Sequence, residues 1–428
     1  MQLLPLSAEQ QQVFDAIERT REHVFVTGRA GTGKSTLLTY LSATTEKQLA
    51  ICAPTGVAAL NVGGQTIHSL FRLPIGVIAN RALDQPDTTR KTLAAIDLLV
   101  IDEVSMVNAD LLDAMDRSLR TARNKHDEPF GGVQVVMFGD PYQLAPVPGH
   151  GDEARYFADT YDSMWFFAAK VWREASVRVF ELSEIHRQAD NRFKHLLNAV
   201  RHGQVTAEMA QVLNETGARR PLPGNGTLTL ASTNATVHRI NHTELHRLPG
   251  HSVTNKAEVL GEFGSGSYPA DELLTLKIGA QVMLLRNDTA GSDGPRWVNG
   301  TIGTVTQLKK ALKVEIDGEE HEVPPATWEK YRYQWDPATK KLERDVVAEF
   351  SQFPLRLAWA VTIHKSQGAT YDTAIIDLGN RAFTHGQTYV ALSRLTSLEG
   401  LYLTRPLRPS DVIVDPAVVQ FMEGASRS

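Results

Sequence analysis

The run GRAGTGKST at residues 28–36 follows the apolar triplet Val24, Phe25 and Val26, and no other segment constrains the fold as much. It fits the pattern G-x-x-x-x-G-K-[ST], in which glycines let backbone N–H groups converge on phosphates. Such a loop belongs between a buried strand and the helix that follows it, so the chain must contain a parallel α/β sheet. Gly28, Ala30, Gly31, Thr32, Gly33, Lys34, Ser35 and Thr36 are therefore candidate contacts for a nucleoside triphosphate. Lys34 can reach the β- and γ-phosphates, and the Ser35 hydroxyl can complete a Mg²⁺ shell shared with carboxylates elsewhere.

Periodicity extends this reading along the first half of the chain. A helix is predicted from Ala8 to Arg19, with buried strands near Val24–Thr27, Gln48–Ala53, Leu98–Asp102 and Val133–Phe138, an order that implies a doubly wound sheet. Leu111, Leu112, Met115 and Leu119 recur at helical spacing, so that segment should pack one face on the sheet and turn its charges the other way. Turn formers cluster at Pro221–Gly226 and mark a domain boundary, after which Thr227–Ala231 opens a second α/β half. Its later strands are expected at Leu357–Ile363, Ala374–Asp377 and Leu401–Leu403. Between about Asp293 and Phe350 the pattern changes to short alternating strands, including Gly303–Thr306, Lys313–Ile316 and the turn Asp317–Gly318, which predicts a β-rich insertion. The second half has no phosphate loop, so it can act on nucleotide only by lending side chains to the first.

Length and composition set wider bounds. The 428 residues allow two to four domains, and the 42% apolar content suffices for ordinary cores. A single cysteine, Cys52, excludes an intrachain disulfide and a cysteine-based zinc site, and its apolar neighbours predict a buried strand thiol. No charged-then-apolar leader opens the sequence and no apolar run approaches the ~20 residues of a membrane span, so a cytoplasmic protein with no membrane partner is expected. The formal charge of −5 argues against a uniformly basic nucleic-acid coat but leaves room for a local groove of opposite sign.

Further residues complete a nucleotide site. Val100 and Ile101 lead into Asp102 and Glu103, two carboxylates at the end of a strand. There Asp102 can hold Mg²⁺, and Glu103 can orient or deprotonate a water. Gln143 follows another buried strand and is a candidate γ-phosphate sensor, with Asp140 capping the turn before it. Phosphoryl transfer needs cation density on its equatorial oxygens, and an arginine finger contributes roughly 10³–10⁵ in rate. Arg187 and Arg394 are the candidates, and if Arg394 reaches across from the second half, hydrolysis is tied to closure of a cleft. Gln10 has two readings: a capping box with Ser7, or an amide that reads an adenine edge.

Taken together, these motifs resemble superfamily-one B DNA helicases, specifically the petite-integration-frequency (PIF) family, over nearly the whole chain from Leu6 to Arg394. The stretch from Leu111 through Gln134 resembles the signature that separates this family from its RecD-like and Dda-like relatives, and Gln352–Gly368 is similarly specific. By resemblance Gln10 reads adenine; Lys34 and Ser35 contact phosphate and metal; Asp102 and Glu103 hold metal and water; Gln143, Arg187 and Arg394 sense the γ-phosphate; and Gln367 and Gly368 adjoin the nucleotide. The DNA-facing motifs match Pro54, Thr55, Gly56, Thr66, His68, Thr233, Asn234, Thr362, His364, Lys365 and Ser366. Leu144–Pro146 departs from the family's consecutive prolines, and the long extensions of eukaryotic members are missing, which suggests a minimal core of bacterial or phage type.

The DNA-facing set also makes physical sense, because hydroxyls, amides and imidazoles can hold phosphates without strong charge in a motor that must release and advance. Local turn bonding is the competing role of each such residue. Phe71, Tyr142 and Trp359 could stack on bases at ~1–3 kcal/mol each, although single aromatics are more often core.

The expected architecture is α/β, with two RecA-like parallel-sheet domains and a small β-rich, SH3-like insertion. Domain 1A would span 1–221 with a wedge insertion at about 61–95, domain 2A 222–290 and 350–428, and domain 2B 291–349. The expected function is ATP- and Mg²⁺-dependent 5′-to-3′ translocation on single-stranded DNA with duplex unwinding at single-strand/duplex junctions, four-stranded guanine DNA being a further substrate to test. The resemblance also implies a monomer associated with the nucleoid and roles in replication, repair and telomere maintenance. The alternatives are a protein-stripping translocase without unwinding and a nucleotide-switched DNA-binding protein.

Overall fold

A computed structural model describes residues 5–79, 81, 83, 85–146, 151–185, 188, 190–221, 226–264, 267–288 and 296–425. The chain divides into two compact units, residues 1–186 with 329–348 and 416–428, and residues 187–328 with 349–415. The expected boundary at 222–225 and the expected start of the insertion at 291–295 lie outside the described residues.

The first unit is built on a six-stranded sheet in the order β3-β2-β4-β5-β1-β6, every pair parallel. Its strands are β1 (Val24–Gly28), β2 (Leu49–Ala53), β3 (Gln65–Thr66), β4 (Leu98–Ile101), β5 (Gln134–Phe138) and β6 (Arg178–Leu182). Around them lie α1 (Ala8–Arg19), α2 (Lys34–Thr44), α3 (Gly56–Asn61), α4 (Ile67–Phe71), α5 (Asp87–Ala95), α6 (Ala109–Arg123), α7 (Asp152–Thr160) and α8 (Lys170–Glu174). One core joins Val13 and Ile17 of α1 and Leu37, Leu38 and Leu41 of α2 to Val24, Val26, Val100, Val136 and Phe138 of the sheet. Cys52 in β2 is a buried free thiol. Phe71 and Tyr142 are buried too, which gives these aromatics the core role rather than a stacking one.

Helix α6 departs from the expectation of one buried face. Residues Ala109–Asp116, Ser118 and Leu119 are all buried, and three aspartates are among them. Each carboxylate is satisfied by hydrogen bonds. Asp110 accepts from the backbone N–H groups of Ile78 and Ala79 and from the Tyr156 hydroxyl. Asp113 accepts from Tyr161 and the Val171 N–H, and Asp116 from Arg120 and the Phe130 N–H. Buried charge is tolerated when it is hydrogen-bonded, and here the charges fasten surrounding loops to the helix.

The second unit holds a four-stranded parallel sheet, β18-β7-β19-β20, and a five-stranded antiparallel sheet, β14-β13-β12-β11-β17. It begins with α9 (Asn191–Arg201), α10 (Ala207–Gly217), β7 (Leu228–Ala231) and α11 (Asn234–Arg247), followed by β8 (Val253–Lys256), β9 (Glu258–Gly261), β10 (Leu273–Leu276) and β11 (Gln281–Leu284). The insertion contributes β12 (Ile302–Gln307), β13 (Lys313–Ile316), β14 (Glu319–Glu322), β15 (Ala326–Asp336) and β16 (Lys341–Gln352). Then come β17 (Leu355–Leu357), β18 (Ala360–Thr362), β19 (Ala374–Asp377), α12 (Gln387–Leu392) and β20 (Leu401–Leu403), and α13 (Pro416–Ala425) follows in the first unit. The apolar run expected as one strand at Leu357–Ile363 is two: β17 closes the antiparallel sheet on β11, and β18 joins β7 in the parallel one. Asn241 secures the second, its amide donating to Ala360 O at 2.9 Å and its carbonyl accepting from Ala360 N at 2.8 Å.

The tip of the β15–β16 hairpin belongs to the first unit. Strand β3 covers only Cys52 and Ala53 of β2, and the hairpin supplies partners beside the rest of that edge. Tyr333 Oη accepts from Ile51 N at 3.1 Å, Gln65 donates to Tyr331 O at 2.8 Å, and Leu342 N donates to Gln48 Oε1 at 2.9 Å. A covered edge cannot template pairing with another chain.

Candidate nucleotide and DNA-facing sites

The phosphate loop leaves the carboxyl end of β1 with φ at +146° for Gly28, +85° for Gly31 and +81° for Gly33. A Cβ on Gly28 would lie 2.5 Å from Leu182 O and 2.8 Å from Thr32 Oγ1, so only glycine lets the chain turn against β6. Gly33 begins the 11-residue α2 without any side-chain cap, and a helix start of this kind attracts an anion. Lys34 Nζ donates to Gly28 O at 2.7 Å and Arg29 O at 3.1 Å, which holds the ammonium over the loop, while Ser35 lies exposed on the first turn. The glycine turn, the helix start and the Lys34 ammonium suit a triphosphate.

Strands β4, β5 and β1 are neighbours, and Ile101 and Phe25 share the partner Met137. Asp102 and Glu103 therefore emerge at the same edge as the loop, where ligands of open α/β sheets bind. Burial pushes the Asp102 carboxyl up to about 6, against the pull of the Glu103 N–H and the Lys34 charge. Glu103 takes a left-handed conformation, φ 51° and ψ 43°, which is uncommon for a residue with a side chain and typical of functional turns. Gln143 leaves the end of β5 in a turn that Asp140 caps, accepting from Tyr142 N at 3.2 Å, as expected of Asp140. Among the described residues no three metal-ligating side chains cluster; Mg²⁺, however, needs only one or two carboxylates beside phosphate oxygens and water, so Asp102 with Ser35 fits it.

Gln10 forms the capping box, Ser7 N donating to its Oε1 at 2.9 Å, and its Nε2 also donates to Gly33 O at 3.0 Å. The local role accounts for the residue while placing it against the phosphate loop.

In the second unit Arg394 is buried, donating from Nε to Val390 O at 3.0 Å and from Nη2 to Ser393 Oγ at 2.9 Å. Arg187 lies outside the described residues. The residue after it has a role that its motif does not reveal: Gln188 is buried and donates to Ser393 O at 3.3 Å and Leu395 O at 3.1 Å, on both sides of Arg394. Gln188 is therefore held on the carbonyls that flank Arg394, and a glutamine directly following Arg187 in the sequence was the available signal. Gln367 N donates to His364 O, and Gly368 has φ 83°, closing the loop after β18.

The DNA-facing candidates gather at the same kind of sheet edge. Ala53 pairs with Thr66, so Pro54, Thr55 and Gly56 emerge beside Thr66 and His68; in the second unit Thr362 pairs with Ala231, which brings Thr233 and Asn234 beside His364 and Lys365. Every hydroxyl in the set also makes a local turn bond. Thr55 accepts from Ala58 N, Thr66 from Ser69 N, Thr233 from Thr236 N and Thr362 from Lys365 N, and buried Ser366 donates to Ile363 O. Burial lowers the pKa of His68 and of His364, favouring neutral imidazoles, and lowers that of Lys365, where the nearby Arg356 charge adds to the effect.

The signature segment supplies scaffolding rather than chemistry. Phe130 and Gly131 take φ of 52° and 59°, and a Cβ on Gly131 would lie 2.6 Å from Leu119 O. The turn can therefore press on α6 only with glycine there. The whole sequence is 35% identical to the ATP-dependent DNA helicase Pif1 of Bdellovibrio bacteriovorus, covering 98% of this chain and 92% of that protein. The chain belongs to the PIF1-like helicase family. Its family models agree, PIF1-like helicase matching residues 5–211 and the DNA helicase Pif1 2B domain matching 266–308. Human ATP-dependent DNA helicase PIF1 is 34% identical over 97% of this chain, which spans 63% of the human protein's length. Among solved structures, Bacteroides sp Pif1 in complex with ADP-AlF4 superposes with a TM-score of 0.91 at 36% identity, covering 99% of this chain and 98% of that one. Bacteroides Pif1 bound to ssDNA matches with a TM-score of 0.71 at 37% identity, covering 98% and 97%.

Proposed function

We infer that this PIF1-like family member is an ATP-dependent DNA helicase, a DNA-stimulated ATPase that moves along single-stranded DNA and separates duplex. One observation carries the reading: the phosphate loop, the Asp102–Glu103 pair and Gln143 leave adjacent strands β1, β4 and β5 at one sheet edge. Lys34 steadies the β- and γ-phosphates, Glu103 aligns and deprotonates the attacking water, and Gln143 senses the γ-phosphate. Mg²⁺, when bound by Ser35 and Asp102, supplies charge neutralisation at the phosphates. Arg187 and Arg394 are proposed to add cation density on the transferring group, and Gln10 to read adenine. Gly28, Ala30, Gly31, Thr32, Gly33, Thr36, Gln367 and Gly368 complete the nucleotide contacts.

The DNA partner is proposed from relatives, which include Bacteroides Pif1 bound to ssDNA and a forked-dsDNA complex described as two coordinating Pif1 helicases. Residues 1–221 are proposed as domain 1A, 222–290 with 350–428 as domain 2A, and 291–349 as the SH3-like 2B insertion. Movement is proposed to run 5′ to 3′ in a monomer, with the segment at about 61–95 as the wedge. Unstacking averages ~1.4 kcal/mol per base-pair step, a load that stepwise hydrolysis can meet. No described helix is long and apolar enough to cross a membrane, and work in the cytoplasm on the nucleoid is proposed. A forked duplex with labelled strands, incubated with ATP and Mg²⁺, tests the reading. Strand release coupled to ATP turnover is expected, whereas turnover without release indicates a protein-stripping translocase, and no DNA-stimulated turnover indicates a nucleotide-switched binder.

A further inference from the structure

Helix α11 carries three histidines, His238, His242 and His246, spaced four residues apart, so they share one face. All three are exposed. The His238 and His242 rings stack with centroids 5.8 Å apart, and those of His242 and His246 lie 4.1 Å apart. The closer pair converges at its chelating atoms, the two Nε2 nitrogens being 3.0 Å apart. The triad lines a cavity of about 550 Å³ together with Asp271, Arg356 and Lys365. No role assigned to the nucleotide or DNA residues uses these imidazoles.

We propose that His242 and His246 form a two-ligand site for a divalent transition metal of the Ni²⁺, Cu²⁺ or Zn²⁺ class. Metal–imidazole bonds of about 2.0–2.1 Å place two nitrogens about 2.9 Å apart at a right angle and about 3.3 Å apart in a tetrahedron. The observed separation lies between these values and nearer the first, so chelation needs only ring rotation, with no change in the helix. Two imidazoles one helical turn apart are a recurring metal pair, and their nitrogen chemistry selects against Mg²⁺. Among the described residues no third ligand joins them, so water fills the remaining positions and the site is open. A hydrogen bond between the rings uses the same 3.0 Å approach, its direction set by the tautomers. Metal would take the place of that bond, the donor ring's proton moving to its own Nδ1 or to solvent.

Tag-free full-length protein, stripped with chelator and held in excess Mg²⁺, is titrated with Cu²⁺ and read by electron paramagnetic resonance. One saturable equivalent with hyperfine structure from two nitrogens is expected. His242→Gln and His246→Gln should each weaken binding at least about tenfold, with unchanged circular dichroism, as loss of one of two ligands requires. The proposal is overturned if no saturable equivalent appears, if the double variant retains it, or if His238→Gln weakens binding as much as either.

Discussion

Asp102→Asn separates folding from catalysis at the proposed metal ligand. The carboxyl has a pKa of about 6 in the folded chain against an ordinary 3.8, mainly through burial, so the ionised form is disfavoured there. As pH rises from about 4 to about 6 the unfolded chain releases this proton first, and the folded state loses stability across that window. That displacement of the pKa amounts to at most about 3 kcal/mol above pH 7 and roughly half of that at pH 5. Asparagine keeps the shape without the charge, so the ligand-free variant should be more stable than the parent by these amounts. Hydrogen exchange at the amides of β4 and β5, corrected for intrinsic rates, reads that local stability. ATP turnover should meanwhile fall at least about a hundredfold, because the removed charge is needed only with metal and phosphate present. A variant no more stable than the parent at pH 8, or a gap of equal size at both pH values, would refute the burial argument.

Other residues give independent tests. Lys34→Ala and Glu103→Gln should each abolish ATP turnover while single-strand binding, read by fluorescence anisotropy, survives; normal turnover in either removes its assignment. Burial lowers the His23 pKa to about 4, so its contribution to stability, up to about 3 kcal/mol, should be lost as pH falls from about 6.5 through 4, and acid melts of His23→Gln should lack that component. Gly131→Ala should destabilise the first unit by about 2–4 kcal/mol in urea unfolding, since its Cβ meets Leu119 O in a turn with positive φ; an effect under 1 kcal/mol contradicts the close approach. Ile75 is 93% exposed within the proposed wedge. If it presses on a terminal base pair, a contact of ~1 kcal/mol, Ile75→Ser should slow strand release about fivefold with ATP turnover unchanged, and equal release rates would dismiss that role.

Much of this site could be read directly from the residues because its chemistry is local. The phosphate loop, the capping box at Ser7 and the strand ending at Asp102 each sit within a few residues, where spacing alone implies geometry. Helix α1 spans Ala8–Arg19 as periodicity predicted, and Asp317–Gly318 turns between β13 and β14 with positive φ at both positions. Non-local pairing was hidden. Nothing in the run Leu357–Ile363 announces that its ends join different sheets, since each half is apolar and short. The antiparallel sheet likewise recruits β11 and β17 from outside the predicted insertion, and the hairpin tip covers β2 nearly 300 residues earlier in the chain. The aspartates of α6 were misread for the same reason: their partners, such as Ile78 and Val171, are distant in sequence, so buried carboxylates looked like a solvated face. Gln188 was overlooked because its role depends on the carbonyls flanking Arg394.

Unwinding of one labelled duplex bearing either a 5′ or a 3′ single-stranded tail, with ATP and Mg²⁺, tests the motor and its direction together. Release from the 5′-tailed duplex, none from the 3′-tailed one, and none with Lys34→Ala is the predicted result. Release from neither duplex despite DNA-stimulated ATP turnover, or release only with the 3′ tail, would contradict the account.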